Sequence, residues 1–228
     1  MKLRYIRSST KEPEENLARE AEIFDEVRQG APATLFIYVN KPCVVLGLNR
    51  IAAEDVFEEY CAAHGIPVLR RISGGGTVYH DEGNLNYCIC LPRGKRGQSP
   101  EERGTVPISL ISPRRMFEVL SEIPVEALKR CGVAAALRPI SDLVVDGKKV
   151  SGNALKITKD AVLYHGTLLV STPVESIEAT LRVPKERAGL AHRDFVSNLK
   201  MLGYPLSDDA LTAALLASFE DWLMKRPT

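Results

Sequence analysis

Residues 70–84 read RRISGGGTVYHDEGN. The apolar run Ile66–Leu69 before them has strand character, and after the glycines Thr77, Val78 and Tyr79 restart a strand with β-branched and aromatic residues. Strand, glycine turn and strand predict a hairpin tip whose backbone N–H groups reach an anion with no Cβ in the way. Arg70 and Arg71 stand before the tip, His80 and Asp81 after it. This combination points to a phosphate or carboxylate site; the competing reading is a tight turn with exposed arginines on its shoulder. No Lys-Ser/Thr follows the glycines, so the stretch is not a P-loop. No helix opens after them, so it is not a dinucleotide fingerprint.

A second cluster lies at 142–154, DLVVDGKKVSGNA. Asp146-Gly147 between two β-rich runs predicts a two-residue hairpin loop. Val144 then pairs with Lys149 and Asp142 with Ser151, which puts Asp142, Lys149 and Ser151 on one face and Lys148, Val150 and Gly152 on the other. Lys149 and Asp142 are either a surface ion pair, worth ~0–1 kcal/mol, or a cation held ready for a reacting carboxylate or phosphate. Further on, Tyr164-His165-Gly166-Thr167 sits within another strand; a lone strand histidine is more often structural than catalytic.

The whole chain sets the limits. Its 228 residues suit one large domain or two small ones, with 45% hydrophobic and 26% charged residues. A net charge of +1 gives no bulk attraction to nucleic acid or membrane, and no apolar run approaches the ~18 residues of a span. The N-terminal stretch MKLRYIRSSTKEPEEN lacks an apolar signal core and is soon acidic, so no export or transit signal is expected. Five cysteines in no framework spacing fit reduced thiols in a cytoplasm. Cys88 and Cys90 alternate along a strand and are expected in a core, both on one side of a sheet. Strands are predicted at 3–7, 34–39, 43–47 and 85–91, with three more over 142–157 and 161–170. Helices are predicted at Pro13–Gln29, stopped by Gly30, over 53–63, and from Met116, where Pro124 should break or restart the helix. Ser207 is expected to cap a last helix with Leu211, Leu215, Phe219 and Trp222 on one face. Residues 92–107 are polar and long for a loop, a candidate lid bearing Arg93, Lys95, Arg96 and Arg103. Antiparallel strand runs with helices between them indicate one α+β domain over 1–228.

Taken together, RRISGGGTVYHDEGNLNY, SDLVVDGKKVSGNALK and HGTLL, in this order and with NKPCVVLGLNR near position 40, resemble the lipoate–protein ligase A family of the biotin/lipoyl ligase superfamily. The resemblance covers roughly residues 13–200. It implies a mixed, largely antiparallel sheet with packed helices, related to class II synthetase catalytic domains. It also implies that lipoate is activated with ATP and Mg²⁺ to lipoyl-AMP, and that the lipoyl group passes to a lysine of a carrier protein such as a lipoyl domain. Carried over by position, Lys149 is the catalytic residue. Arg71, Ser73, Gly74, Gly75, Gly76, Thr77, Val78 and His80 line the ligand. Asp142 faces the nucleotide and its metal, and Ser151, Gly152, Ala154, His165, Gly166 and Thr167 complete the walls. Some members carry Asn before the aspartate, where this chain has Ser141. Val44, Leu46 and Val78 are candidate walls of an acyl tunnel. Many members carry a small C-terminal domain; it is expected to be absent here, its place taken by a separate polypeptide or left empty.

Two alternatives stand beside the ligase. An ATP-independent octanoyl or lipoyl transferase of the same superfamily uses a cysteine in the loop before the lysine hairpin. That loop here reads AALRPISD, and the nearest thiol is Cys131. Transferases also tend to lack the Gly83-Asn84 found here. A non-catalytic lipoyl- or nucleotide-binding module is the second alternative, and retention of both Arg71 and Lys149 argues against it.

Overall fold

A computed structural model describes residues 2–93, 112–138 and 141–225. Two sheets carry the architecture. The larger has seven strands in the order β1 (Leu3–Arg7), β2 (Ala33–Tyr38), β6 (Asn84–Pro92), β10 (Ala161–Leu169), β9 (Lys148–Ile157), β8 (Asp142–Val145) and β7 (Ala136–Arg138). Only the β1–β2 pair in it is parallel. The smaller places β3 (Cys43–Leu46) between β4 (Val68–Arg70), parallel to it, and β5 (Val78–His80), antiparallel. The chain is thus α+β with a mixed, largely antiparallel sheet, as expected.

Each face of the large sheet is buried by helices with an apolar stripe. Helices α4 (Pro113–Arg130) and α7 (Asp208–Lys225) cover one face. Leu211, Leu215, Phe219 and Trp222 of α7 are all buried there, and the Trp222 indole donates to the Val119 carbonyl at 3.2 Å. Ser207 caps α7 by accepting from the Ala210 N–H at 3.2 Å. Helix α1 (Pro13–Arg28) packs through Ile23, Phe24 and Val27 on the opposite face, over Phe36, Cys88 and Cys90. Its end is fixed by Gly30 at φ 109°, a conformation natural to glycine. The small sheet builds a third apolar cluster with α2 (Ala52–Asp55), α3 (Glu58–Ala63), α5 (Val174–Thr180) and α6 (His192–Phe195).

Several expectations change. The helix over 53–63 is two short helices, because Val56 bridges Leu181 and the Phe57 N–H bonds the Thr180 carbonyl at 2.9 Å. Pro124 neither breaks nor restarts α4: it lies buried inside an 18-residue helix. An internal proline costs ~3 kcal/mol, and burial of the apolar face that packs on α7 and the sheet outweighs it. The glycine stretch is not a hairpin, since β4 and β5 both pair with β3 rather than with each other. Its continuation β6 lies in the large sheet. Residues 71–77 therefore form a loop that spans β3 instead of a tight turn. The lid expected at 92–107 lies, from residue 94 on, outside the described residues.

Candidate active site

The glycine loop is built around one arginine. Arg71 is 8% exposed. Its Nη2 donates to the carbonyls of Gly74 and Gly76, both at 2.7 Å, its Nε to Ser73 Oγ at 3.0 Å, and its Nη1 to the Val45 carbonyl at 3.2 Å. With carbonyls turned onto the guanidinium, the N–H groups of Gly74–Thr77 have no acceptor among the described residues. A row of such amides makes an anion-binding concavity. Burial pulls the Arg71 guanidinium down to about 10, which leaves it charged at neutral pH. Arg70 serves the neighbouring loop: its Nη1 donates to the carbonyls of Gly47, Leu48 and Arg50, each at 2.9 Å. Gly47 lies so close that a Cβ there would meet the Gly75 carbonyl oxygen at 2.2 Å.

A buried relay ties this loop to the sheet. Ser73 Oγ lies 2.6 Å from His165 Nε2, and His165 Nδ1 lies 2.8 Å from Glu20 Oε1. The Glu20 carboxylate can only accept, so His165 Nδ1 donates to it, and Nε2 of the neutral ring then accepts from Ser73. The Tyr38 hydroxyl donates to the other Glu20 oxygen at 3.1 Å. Burial, reinforced by Glu20, pushes the Tyr38 phenol well above its ordinary value, so it stays a donor. Serine, histidine and glutamate stand in the order of a hydrolytic triad, but Ser73 is 1% exposed and its oxygen already accepts from Arg71. The relay fixes the loop to β10 and α1.

Asp146 and Gly147 both have positive φ, 49° and 77°, so the predicted two-residue turn forms. Lys149 Nζ meets Asp142 Oδ1 at 2.7 Å, and Arg187 reaches Asp142 Oδ2 at 3.3 Å. Lys148 points away and donates to the carbonyls of Arg193 and Asp194 at 3.0 and 2.8 Å. The predicted register fails at one place. A bulge between Leu143 and Val144 pairs Asp142 with Gly152 and Leu143 with Ser151. Ser151 is therefore fully buried and Gly152 joins the Lys149 face, the reverse of the expectation.

Lys149 stands where two clefts meet. One, of about 550 Å³, runs over the face of the large sheet that α1 leaves uncovered. The register sets Thr167, Asn86 and Tyr38 side by side on β10, β6 and β2. The other, of about 530 Å³, opens toward Ile177, Leu181, His192 and Phe195. Both share Thr77, Val78, Lys149, Gly152 and Thr167. Of the other predicted residues, Arg71, Gly76, His80, Ala154, His165 and Gly166 line the first cleft. Ser73 and Gly74 bond Arg71, Gly75 stands exposed beside Ala154, and Asp142 pairs with Lys149, so all four touch lining residues. Gly166 is required: a Cβ would meet Asn153 Oδ1 at 2.0 Å and the Tyr87 hydroxyl at 2.6 Å. Val44 and Leu46 do not line it. Strand alternation turns them into the small-sheet core and presents Val45 instead.

Leu17, Glu20, Tyr38, Asn86 and Asn153 escaped sequence reasoning. Glu20 carried a signal, as a carboxylate inside the apolar stripe of α1. Among the described residues no group of three or more His, Cys, Asp or Glu is placed to hold a metal. Asp142 is a single carboxylate already facing two cations. That fits magnesium arriving on nucleotide phosphates, which uses one or two carboxylates, and does not fit a resident ion.

A sequence profile described as lipoyl protein ligase A/B catalytic domain matches residues 12–220. The chain belongs to this family. It is 36% identical over 153 residues to lipoate-protein ligase LplJ of Bacillus subtilis, a match covering 67% of this chain and 41% of that protein. Lipoate ligase folds align over 98% of the chain. One, from the archaeal lipoylation system of Thermoplasma acidophilum, described as a bi-partite lipoate protein ligase with its E2 lipoyl domain, has a TM-score of 0.83 at 28% identity, with 84% of that chain covered. Another, lipoate-protein ligase A bound with ATP, has a TM-score of 0.82 at 27% identity, with 86% covered. The chain spans about half the length of the first curated relatives it matches.

Proposed function

We propose that this chain activates lipoate with ATP to lipoyl-AMP and passes the lipoyl group to a protein lysine. The observation that carries the proposal is the position of Lys149, which lines two clefts together with Thr77, and one of them with Gly76. The first cleft reaches from β9 to β2, three strand spacings or about 14 Å, which suits an extended acyl chain with its carboxylate at Lys149. The second suits a nucleotide.

In the first step a carboxylate oxygen attacks the α-phosphorus of ATP; the new P–O bond forms as the bond to pyrophosphate breaks. Negative charge grows on the phosphoryl oxygens, where Lys149 and the unpartnered amides of Gly74–Thr77 stabilise it without reorganising. Lys149 exchanges Asp142 for these oxygens. Mg²⁺ carried on the phosphates, with Asp142 as its protein ligand, would neutralise charge on the leaving pyrophosphate. In the second step the acceptor amine attacks the acyl carbon and loses a proton, and AMP leaves with the electrons of the broken C–O bond.

The thiols support ligase over cysteine-dependent transferase. Cys43, Cys61, Cys88 and Cys90 are buried, Cys131 ends α4, and none lines either cleft. Burial pushes the Cys43 thiol to about 12, far from a nucleophile. The proposal includes a lipoyl-domain acceptor and an accessory polypeptide, on the precedent of the bi-partite relative. It also includes a cytoplasmic location; no helix among the described residues is long and apolar enough to cross a membrane. Lipoate-dependent exchange of labelled pyrophosphate into ATP tests the first step. Exchange should need both lipoate and Lys149; a folded chain without exchange, alone or with an accessory polypeptide, would overturn the proposal.

A further inference from the structure

The two ends of the glycine loop are anchored to different parts of the molecule. Its upstream half is tied to the large sheet: Ser73 meets His165, and Lys156 Nζ on β9 donates to the Ile72 carbonyl at 3.0 Å. At the downstream end the Thr77 hydroxyl donates to Asp55 Oδ2, on α2. A carboxylate without its proton only accepts, so the Thr77 proton is committed to Asp55. Such a charge-assisted bond is roughly twice as strong as a neutral one. Thr77 lines both of the clefts that meet at Lys149, whereas Asp55 lines neither.

Asp55 is itself clamped. Arg50 Nε donates to its Oδ2 at 2.5 Å and Arg50 Nη2 to its Oδ1, a two-pronged pair that fixes the plane of the carboxylate. The Arg50 bond, helped by the one from Thr77, outweighs burial and holds this carboxyl below the usual carboxylate range. Arg50 is held in turn: its carbonyl accepts from Arg70 at 2.9 Å, and its N–H donates to the Gly47 carbonyl at 3.0 Å. On the other side the Arg182 N–H donates to the Asp55 carbonyl at 2.8 Å. Asp55 is 8% exposed, but the Arg50 side chain is 42% exposed. A partly exposed ion pair adds ~0–1 kcal/mol, too little to account for a buried carboxylate. What the burial secures is a fixed acceptor for Thr77.

Three glycines separate Ser73 from Thr77, and a backbone of that freedom transmits position poorly. Arg71 holds the Gly74 and Gly76 carbonyls, and Asp55 holds the residue that ends the run. Donors that stabilise a transition state act by standing in place beforehand. We propose that Asp55, clamped by Arg50, is a positioning residue for adenylate formation, which through the Thr77 hydroxyl keeps the glycine-loop amides in place for the phosphates. This rests on the reading of the two clefts as an adenylation site.

The test is a double-mutant cycle of Asp55→Ala and Thr77→Val in the full chain. Thr77→Val removes the hydroxyl at nearly constant volume and leaves the Arg50–Asp55 pair whole. Lipoate-dependent pyrophosphate exchange gives kcat and KM for each substrate, and melting temperatures with and without Mg-ATP read folding and binding. Loss of a hydrogen bond to a charged group costs about tenfold or more. Each single variant should lose about tenfold in kcat/KM for ATP, with KM for lipoate within about twofold of the parent. The double variant should lose no more than the worse single one, because both cut the same bond. Thr77→Ser, which keeps the hydroxyl, should recover most of the Thr77→Val loss. Losses that multiply to about a hundredfold, or a folded Thr77→Val within about twofold of the parent, overturn the role of Asp55. If Asp55→Ala does not fold, Thr77→Val against Thr77→Ser decides, and equal losses overturn it. A parent that exchanges no pyrophosphate fails the ligase reading instead. The rise in melting temperature with Mg-ATP then decides, and it should shrink alike in both single variants and no further in the double. A parent that Mg-ATP does not stabilise overturns both.

Discussion

Replacement of Gly47 by alanine tests the glycine loop from outside it. Gly47 follows β3 and is not itself a predicted ligand position, yet a Cβ there would lie 2.2 Å from the Gly75 carbonyl oxygen, 3.0 Å from its carbon and 3.2 Å from the Gly74 oxygen. All three are backbone atoms, so no side chain can swing aside. Ordinary contact begins near 3.4 Å, so the loop must retreat by roughly 1 Å, a displacement that can cost ~10² in rate when reacting groups are held by position. Of these atoms the Gly74 oxygen is also held by Arg71, so retreat stretches a bond now at 2.7 Å. Overpacking of this kind costs ~1–3 kcal/mol of stability, too little to unfold most domains. Gly47→Ala should therefore lower lipoate-dependent pyrophosphate exchange about a hundredfold while the chain still melts cooperatively. Exchange within threefold of the parent would refute the claim that the loop's position sets the rate.

Lys149→Ala should lose ~10²–10³ in adenylate formation, the cost of one transition-state contact, whereas Lys148→Ala, which releases only the Arg193 and Asp194 carbonyls, should lose much less; equal losses would contradict the opposed directions of the two lysines. Glu20→Ala removes the acceptor of both His165 and Tyr38, and should raise KM for ATP as well as lipoate because the relay ends on Ser73; an effect on lipoate alone would detach the relay from the loop. Acid stability follows from His80, held near 3 against an ordinary 6.5. The folded chain resists the proton that the unfolded chain takes, so stability is full above pH 6.5 and declines as pH falls toward 3. The loss at pH 5 relative to pH 8 is about 2 kcal/mol, and His80→Gln should lack that part of it in denaturant titrations at the two pH values.

Local chemistry made much of this legible in the sequence. The Asp146-Gly147 turn, the Ser207 cap, the Gly30 stop and the apolar stripe of α7 each follow from nearby residues, and each forms as expected. The opposition of Lys149 and Lys148 needed only the turn. What failed depended on partners distant in sequence. The strands beside the glycines look like a hairpin until β3 comes between them, and nothing local announces that. The bulge at Leu143/Val144 reverses Ser151 and Gly152 by a single residue, a shift that alternation cannot reveal. Pro124 reads as a breaker because the packing of α4 is invisible in its own sequence. The relay from Arg71 to Glu20 joins residues up to 145 positions apart, so only the charge inside the stripe of α1 hinted at it.

In the proposed mechanism a carboxylate oxygen attacks the α-phosphorus of ATP beside Lys149. Lipoate labelled with heavy oxygen in its carboxylate tests this directly, in a single turnover with an acceptor lipoyl domain and mass spectrometry of the AMP. This attack should leave one labelled oxygen in AMP and none in pyrophosphate, with both products lost in Lys149→Ala. Lipoylated acceptor formed without labelled AMP would contradict it and move the chemistry to direct acyl transfer.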